Sequence, residues 1–552
     1  MNTRQQKITP QSALILGLIA VFGIRLFFVL NHTGLWGVDG GAYLLSQHYV
    51  LTGDQIVDFK RPWLAPGYLL VPFTWAFGFD MGIKAFALAA WLPMLWPLWL
   101  LARLALSAWA TVWALIILSL GLMLAEMFVA GALPMVAFAG LFFALWGIWH
   151  LGCRSATWRH RVAVAGGIAW IAYTNQTTVG IAAYVLPVWA AFTFWLQRGV
   201  SWRRFVCDVG GLVFAGVVLA LPTVMFYTQV APGSGMLRYP GPIVALYEGG
   251  NALWYYTAMF AVVGVFAFLK GPPFVRALAA LMLVSLPIGA IYSYDESILN
   301  ITYRTRYLYT VYFYILIVWG AWRYVRGRRL VAIVVAAFVF ILPFHVYQLH
   351  FETKLKRMVS ADVYAGIEYL DELDFPGGIG ANSYSMGLFV AAYTNKPVAW
   401  LQVYDPPPAY AEQHGNMACL VAWRSPCDPR AASEALGVDY LLVERLWPAV
   451  KDEIGLQVEG LGVIYNVFDV LSVDEFKQFG ATWEAPVAEG DILPADPHPW
   501  DITTEKAHWL DAVWESGSAK IWRVNHAYFE NGNALAPDAR WDLTRVLGRR
   551  GT

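Results

Sequence analysis

The sequence predicts a polytopic α-helical membrane domain over residues 1–350, followed by an extracytoplasmic α/β domain over residues 351–552. Three observations predict it. Hydrophobic residues make up 58% of the 552 and charged residues 14%, with a mean hydropathy of +0.51, a balance that would leave a soluble protein with large exposed apolar patches. Up to Phe351 the apolar residues arrive in blocks of about twenty, the length that crosses a hydrocarbon core. After Phe351 no such block recurs, and polar, aromatic and Pro/Gly-rich stretches alternate as they do in a folded water-facing domain. The 27 Trp and 28 Tyr suit a chain with two membrane interfaces, where amphipathic rings settle.

The blocks define about eleven spans: residues 12–30, 83–102, 108–129, 133–150, 162–174, 177–196, 205–228, 252–269, 275–293, 307–322 and 330–349. Trp63–Phe79 is apolar too, but Pro66, Gly67 and Pro72 interrupt it, and it reads as a helix lying along the interface. Charge sets the orientation. One set of span ends holds fifteen basic residues: Arg4, Lys7, Arg103, Arg154, Arg159, Arg161, Arg198, Arg203, Arg204, Lys270, Arg276, Arg323, Arg326, Arg328 and Arg329. The other set holds six: Lys60, Arg61, Lys84, Arg238, Arg304 and Arg306. Positive-inside asymmetry then puts the N-terminus in the cytoplasm, and an odd number of spans puts the C-terminal domain on the periplasmic or extracellular side of a cell (inner) membrane. Counting Trp63–Phe79 as a span would move every later basic cluster outside. The first block is long for a signal peptide and has no small-x-small cleavage site after it, so it reads as a retained span.

Zero net charge gives no electrostatic reason for a nucleic-acid partner. Of the four cysteines, Cys153 and Cys207 fall near cytoplasmic loops and are expected as thiols. Cys419 and Cys427 lie close together in the outer domain, where a disulfide and two free thiols both fit. The motifs of soluble enzymes are absent: no Walker A loop, no GxGxxG after a strand, no HExxH, no CxxC pair and no DxD. A nucleotide substrate is therefore not expected, and no spacing supports a divalent metal or other cofactor.

The first outer loop holds the polar groups that need explaining. Asp39 precedes Gly40-Gly41. A short helix follows, then the turn Thr52-Gly53-Asp54 and the basic pair Lys60-Arg61 before Pro62. A carboxylate at the membrane surface can take a proton from a hydroxyl, and a cationic pair can hold a phosphate whose lipid tail stays in the bilayer. The same residues fit plainer roles: Asp beside Gly is common in turns and caps, and Lys and Arg at this height snorkel to headgroups. Arg25, inside the first span near its outer end, fits either an outward-reaching cation or a pairing with a neighbouring helix.

In order and spacing this loop resembles the first periplasmic loop of the GT-C membrane glycosyltransferases, among them the lipid A aminoarabinose transferases and the protein O-mannosyltransferases. That family has an acidic pair, a Tyr-Ala helix, a Ser-Gly-Asp turn and Phe-x-Lys-Pro-Pro-Leu. Here Asp39-Gly40, Tyr43, Thr52-Gly53-Asp54 and Phe59-Lys60-Arg61-Pro62-Trp63-Leu64 stand in those places, and Phe77-Gly78 resembles the Leu-Phe-Gly that closes the second interfacial helix. Tyr173-Thr174-Asn175-Gln176-Thr177 resembles the polar turn between paired spans that usually carries a Lys. Arg304-Thr305-Arg306-Tyr307-Leu308-Tyr309 resembles the Arg-Tyr-x-x-Pro that opens a late span. The resemblance covers residues 12–350 in layout.

It implies a GT-C-like membrane domain whose donor is a sugar on a polyprenyl phosphate and whose acceptor is a hydroxyl of a glycan, lipid or protein on the outer face. Displacement would invert the anomeric carbon. Asp39 would be the catalytic base, and Tyr43, Lys60, Arg61, Glu126, Arg304, Arg306 and Tyr307 would bind substrate. Base assistance is worth about 10²–10⁴ in rate, and cations in a partly dry site stabilise the leaving phosphate. The chain departs from the family at three points: Ala132 stands where a second Asp precedes a Pro, Ala42 where an Arg follows the first Asp, and Asn175 or Gln176 where the later Lys belongs. Asp295-Glu296 would pair with the outer arginines or supply the second carboxylate. The rival readings are a transporter or flippase of a lipid-linked or polar substrate, an O-antigen ligase or polymerase, and a non-catalytic envelope-assembly protein.

In the C-terminal domain, Ala361–Leu373 reads as a helix, and Gly378–Asn382, Pro397–Val403, Tyr440–Glu444, Val463–Phe468 and Lys520–Val524 read as strands. Leu436-Gly437-Val438-Asp439-Tyr440 is a helix stop followed by a strand start. His498, His508 and His526 are scattered and read as surface residues.

Overall fold

The computed structural model describes residues 9–32, 34–36, 40–53, 64–121, 128, 133–153, 156–197, 199–230, 244–246, 250–289, 291–293, 296–325, 327–355, 359–381, 384–399, 416–417, 419–420, 428–444, 463–465, 469–471, 507–517 and 519–530. The chain forms two compact units. One is Met1–Asn31, Leu64–Val230 and Pro242–Lys354; the other is His32–Trp63, Ala231–Gly241 and Leu355–Thr552.

Helices come first along the chain: α1 (Pro10–Asn31), α2 (Gly40–Thr52), α3 (Leu64–Ala89), α4 (Leu92–Ala105) and α5 (Ala108–Ser119). Then follow α6 (Leu133–Leu151), α7 (Trp158–Thr174), α8 (Gln176–Gln197) and α9 (Trp202–Val230). The membrane unit closes with α10 (Gly250–Lys270), α11 (Pro273–Gly289), α12 (Glu296–Tyr324) and α13 (Arg328–Leu355). Two three-residue strands, β1 (Val244–Leu246) and β2 (Ile291–Ser293), pair antiparallel. Among the described residues six helices are long and apolar enough to cross a membrane. Helices lie on the predicted spans, but several boundaries shift: α5 ends at Ser119, α11 ends at Gly289 with residues 291–293 of that predicted span forming β2, and α12 starts at Glu296, ahead of the predicted 307. The interfacial stretch and the start of the second span join in α3, which kinks at Gly78 (φ 76°, ψ 178°). The break comes instead at Ala90–Trp91, where a proline in the first turn opens α4.

α6 is the buried centre of this unit, with nearly every side chain from Leu133 to Leu151 out of contact with the surroundings. Small residues let its neighbour approach. A Cβ on Gly140 would lie 2.6 Å from the Gly167 carbonyl, and one on Gly147 would lie 2.5 Å from the His160 carbonyl. Backbones this close are how helices associate where lipid removes the hydrophobic drive between them. One indole locks this contact and a second ties α6 to α8: Trp170 Nε1 of α7 donates to the Val136 carbonyl at 2.7 Å, and Trp189 Nε1 of α8 donates to the Leu145 carbonyl at 2.8 Å.

The second unit is built on a five-stranded mixed sheet. Its strands are β3 (Gly378–Ala381), β4 (Val398–Ala399), β5 (Val438–Glu444), β8 (Leu510–Ser516) and β9 (Ala519–Val524), with β6 (Val463–Tyr465) and β7 (Asp469–Leu471) forming a separate hairpin. The order is β4-β3-β5-β9-β8; β3 runs parallel to β4 and β5, and β9 runs antiparallel to β5 and β8. Helices α14 (Ala361–Glu372), α15 (Tyr384–Thr394), α16 (Pro429–Leu436) and α17 (His526–Glu530) accompany it. Local chemistry sets the ends. Ser360 Oγ accepts from the Val363 N–H to cap α14, Asp428 accepts from Arg430 and Ala431 to cap α16, and Gly437 ends α16 in the left-handed region at φ 62°. Leu420, Val438, Leu441, Val443, Trp509, Trp522 and Val524 form the core on one side of the sheet.

The first loop belongs to this second unit. Leu35 N–H donates to the Val359 carbonyl at 3.0 Å, and α2, buried from Gly40 to Gln47, packs on α15 so tightly that a Cβ on Gly41 would lie 2.6 Å from the Leu388 backbone. Cys419 is disulfide-bonded, whereas Cys153 and Cys207 are free. The expected partner Cys427, and His498, lie outside the described residues.

Candidate functional site

Three consecutive residues in the third turn of α12 tie it to three other elements. Arg304 Nη1 donates to Asn175 Oδ1 at 2.7 Å. The Thr305 hydroxyl lies 3.0 Å from the Tyr184 hydroxyl of α8. Arg306 Nε donates to the Gly289 carbonyl, the last residue of α11, at 2.8 Å. Successive helical residues are about 100° apart, so these three side chains fan outward and the two arginines point to opposite sides. Tyr309, one turn further on, lies against Gly289, where a Cβ would come within 2.6 Å of its ring.

Asn175 sits between α7 and α8 and serves both. Its N–H donates to the Ile171 carbonyl at 2.9 Å, closing α7. Its Oδ1 accepts from the Thr178 N–H at 3.0 Å and the Thr178 hydroxyl at 3.2 Å, capping α8. The same oxygen receives Arg304. Thus the polar turn and the late-span arginine, 129 residues apart, meet in one hydrogen bond. Arg304 is half-buried, whereas Arg306 is 7% and Tyr307 3% exposed. No described carboxylate forms an ion pair with Arg304. The arrangement therefore offers an accessible guanidinium fork, and the charge of Arg306 is held inside the bundle.

Tyr43, on α2 in the other unit, is 2% exposed. Asp39, Lys60, Arg61 and Glu126 lie outside the described residues, as do Ala132, Asp295 and the side chain of Glu296. Arg25 pairs with a neighbouring helix: fully buried, it donates from Nη2 to the Ser119 carbonyl at 2.9 Å, with Trp91 and Phe128 against its faces at 4.5 and 5.0 Å. Among the described residues no group of three His, Cys, Asp or Glu side chains is placed to hold a metal ion. In the second unit, Asp439 accepts from the Gly377 N–H at 2.7 Å and lies 3.2 Å from His526 Nε2. Sequence reasoning missed Tyr184, Thr305 and the double duty of Asn175, although an Asn at a span boundary is a helix-cap signal.

No family model and no curated protein matches the sequence. Solved membrane glycosyltransferases match in structure. The apo oligosaccharyltransferase of Archaeoglobus fulgidus aligns over 80% of this chain and 70% of its own, at 12% identity and a TM-score of 0.50. The apo ArnT of Cupriavidus metallidurans aligns over 84% of this chain and 97% of its own, at 12% identity and a TM-score of 0.50. The chain has the GT-C fold. The arabinofuranosyltransferase AftD from Mycobacteria shares it over 93% of this chain but 40% of its own, at 13% identity and a TM-score of 0.54. On the GT-C fold, the α7–α8 turn, the end of α11 and the start of α12 come together at one end of the membrane unit.

Proposed function

We propose that this GT-C-fold protein is a glycosyltransferase that takes a sugar from a polyprenyl-phosphate donor and passes it, with inversion, to an acceptor hydroxyl on the outer face of the membrane. A fold alone does not carry an activity. The observation that carries this one is the Arg304–Asn175 contact, because it joins the two segments whose sequences resemble those of the family and leaves a half-buried guanidinium open at that end of the bundle. The charge asymmetry assigns that end to the outside. Arg304 binds the lipid phosphate; the family resemblance supports Lys60 and Arg61 as further phosphate ligands and Asp39 as the base that deprotonates the acceptor. Glu126 is the further proposed substrate contact, whereas Arg306, Tyr307 and Tyr43, at 7%, 3% and 2% exposure, are proposed to support the site from within the protein.

Charge-assisted bonds from a guanidinium to phosphate are among the strong ones, and they strengthen as charge develops on the leaving group. The donor's phosphate leaves as a weak base, so one carboxylate suffices for proton transfer. The test uses purified protein in liposomes with a panel of polyprenyl-phosphate sugars, reading release of polyprenyl phosphate and the anomer formed. Asp39→Asn keeps shape and lowers transfer by about 10²–10⁴ while donor affinity holds. Transfer that survives Asp39→Asn undiminished removes Asp39 from the chemistry; no release from any donor removes the reading.

A further inference from the structure

Where the resemblance expects a lysine, the α7–α8 turn has a neutral amide, and that amide holds an arginine. We propose that Asn175 is a positioning residue for Arg304: its carboxamide oxygen fixes the guanidinium so that the remaining N–H groups face the donor phosphate. This rests on the polyprenyl-phosphate reading above. A guanidinium carries five N–H donors in a rigid plane, so one well-placed acceptor orients the rest. Asn175 Oδ1 takes Arg304 Nη1 at 2.7 Å, and that oxygen is itself held by the Thr178 N–H and hydroxyl at 3.0 and 3.2 Å. An aspartate here would hold Arg304 but cancel its charge. A lysine would repel it. A neutral acceptor orients the fork and leaves its charge for an anion, and no described carboxylate competes for it. The departure from the family pattern is then an exchange: the turn gives up its own cation and directs one from α12.

The test is a double-mutant cycle on binding of undecaprenyl phosphate to the full chain in nanodiscs, followed by native mass spectrometry, with thermal unfolding measured alongside. Arg304→Ala weakens binding about tenfold or more, as loss of a charge-assisted contact should. Asn175→Ala weakens it about three- to tenfold, yet adds nothing in the Arg304→Ala background, because it acts through that side chain. Asn175→Asp retains the cap of α8 and the wild-type unfolding temperature but loses affinity, and it carries the test should Asn175→Ala fail to fold. The proposal is overturned if the two alanine effects multiply, or if Asn175→Ala or Asn175→Asp binds as the wild type does. Absence of saturable binding by the wild type, or full binding by Arg304→Ala, instead overturns the donor reading beneath it.

Discussion

Arg25 and Ser119 meet where α5 ends: the guanidinium of one donates to the backbone carbonyl of the other at 2.9 Å, deep inside the membrane unit. That carbonyl belongs to a helix C-terminus, whose partial negative charge suits a cation. Among the described residues, Nε and Nη1 of the same guanidinium have no hydrogen-bond partner.

The energies around Arg25 nearly cancel. One charged hydrogen bond contributes about 1.5–3 kcal/mol and each desolvated aromatic contact about 2 kcal/mol, against a burial cost of several kcal/mol for the ion. Arg25→Met is therefore expected to change stability by less than about 2 kcal/mol. Arg25→Lys keeps the charge, loses the flat stacking on Trp91 and Phe128, and unfolds at a lower temperature than Arg25→Met. Thermal unfolding in detergent ranks the three proteins.

Adjacent glycines of α7 should behave in opposite ways. A Cβ on Gly167 runs into the Gly140 carbonyl of α6, whereas nothing lies within 4 Å of one on Gly166. Gly167→Ala is expected to cost about 1–3 kcal/mol or more through overpacking. Gly166→Ala is expected to be neutral or stabilising by up to about 1 kcal/mol, since Ala is the better helix former. Folded yield by size-exclusion fluorescence separates them.

In the second unit, Asp439→Ala leaves the Gly377 N–H without its acceptor and is expected to lower stability by about 1 kcal/mol. Gly377→Ala is worse while the carboxylate stays, because its Cβ would overlap Asp439, and it is relieved in the Asp439→Ala background. A four-protein thermal-unfolding cycle measures that relief.

Alkylation under denaturing conditions should label two of the four cysteines without reductant, Cys153 and Cys207, and all four after reduction. Intact mass reads the count directly. In the native protein, partial burial pushes the Cys153 thiol up, so it alkylates slowly at neutral pH and faster as pH rises.

Features with a local cause were legible in the sequence. Span lengths follow from apolar runs, and the stop at Gly437 with the strand from Val438 follows from the left-handed cap that glycine permits. Features made by distant partners were not. Nothing near Asn175 announces Arg304, and the acceptor role arises only when α7, α8 and α12 come together. Strand β8 escaped because Val513 breaks the apolar alternation of Leu510, Ala512 and Trp514, at the register shift between Ala512 and Trp514; its place is set by pairing with β9. The short helix of the first loop was legible in the sequence but its burial was not, because the face that covers it lies beyond residue 380.

That last packing has a consequence for biogenesis. Gly41 rests on Leu388, so a segment made almost at the outset of translation finds its cover only when the ribosome is far along the message. At typical elongation speeds α2 waits roughly tens of seconds for α15. A nascent chain arrested before Tyr384 would leave Tyr43, Leu44 and Leu45 naked to chaperones and proteases, so truncated products should be degraded even when every preceding helix has inserted.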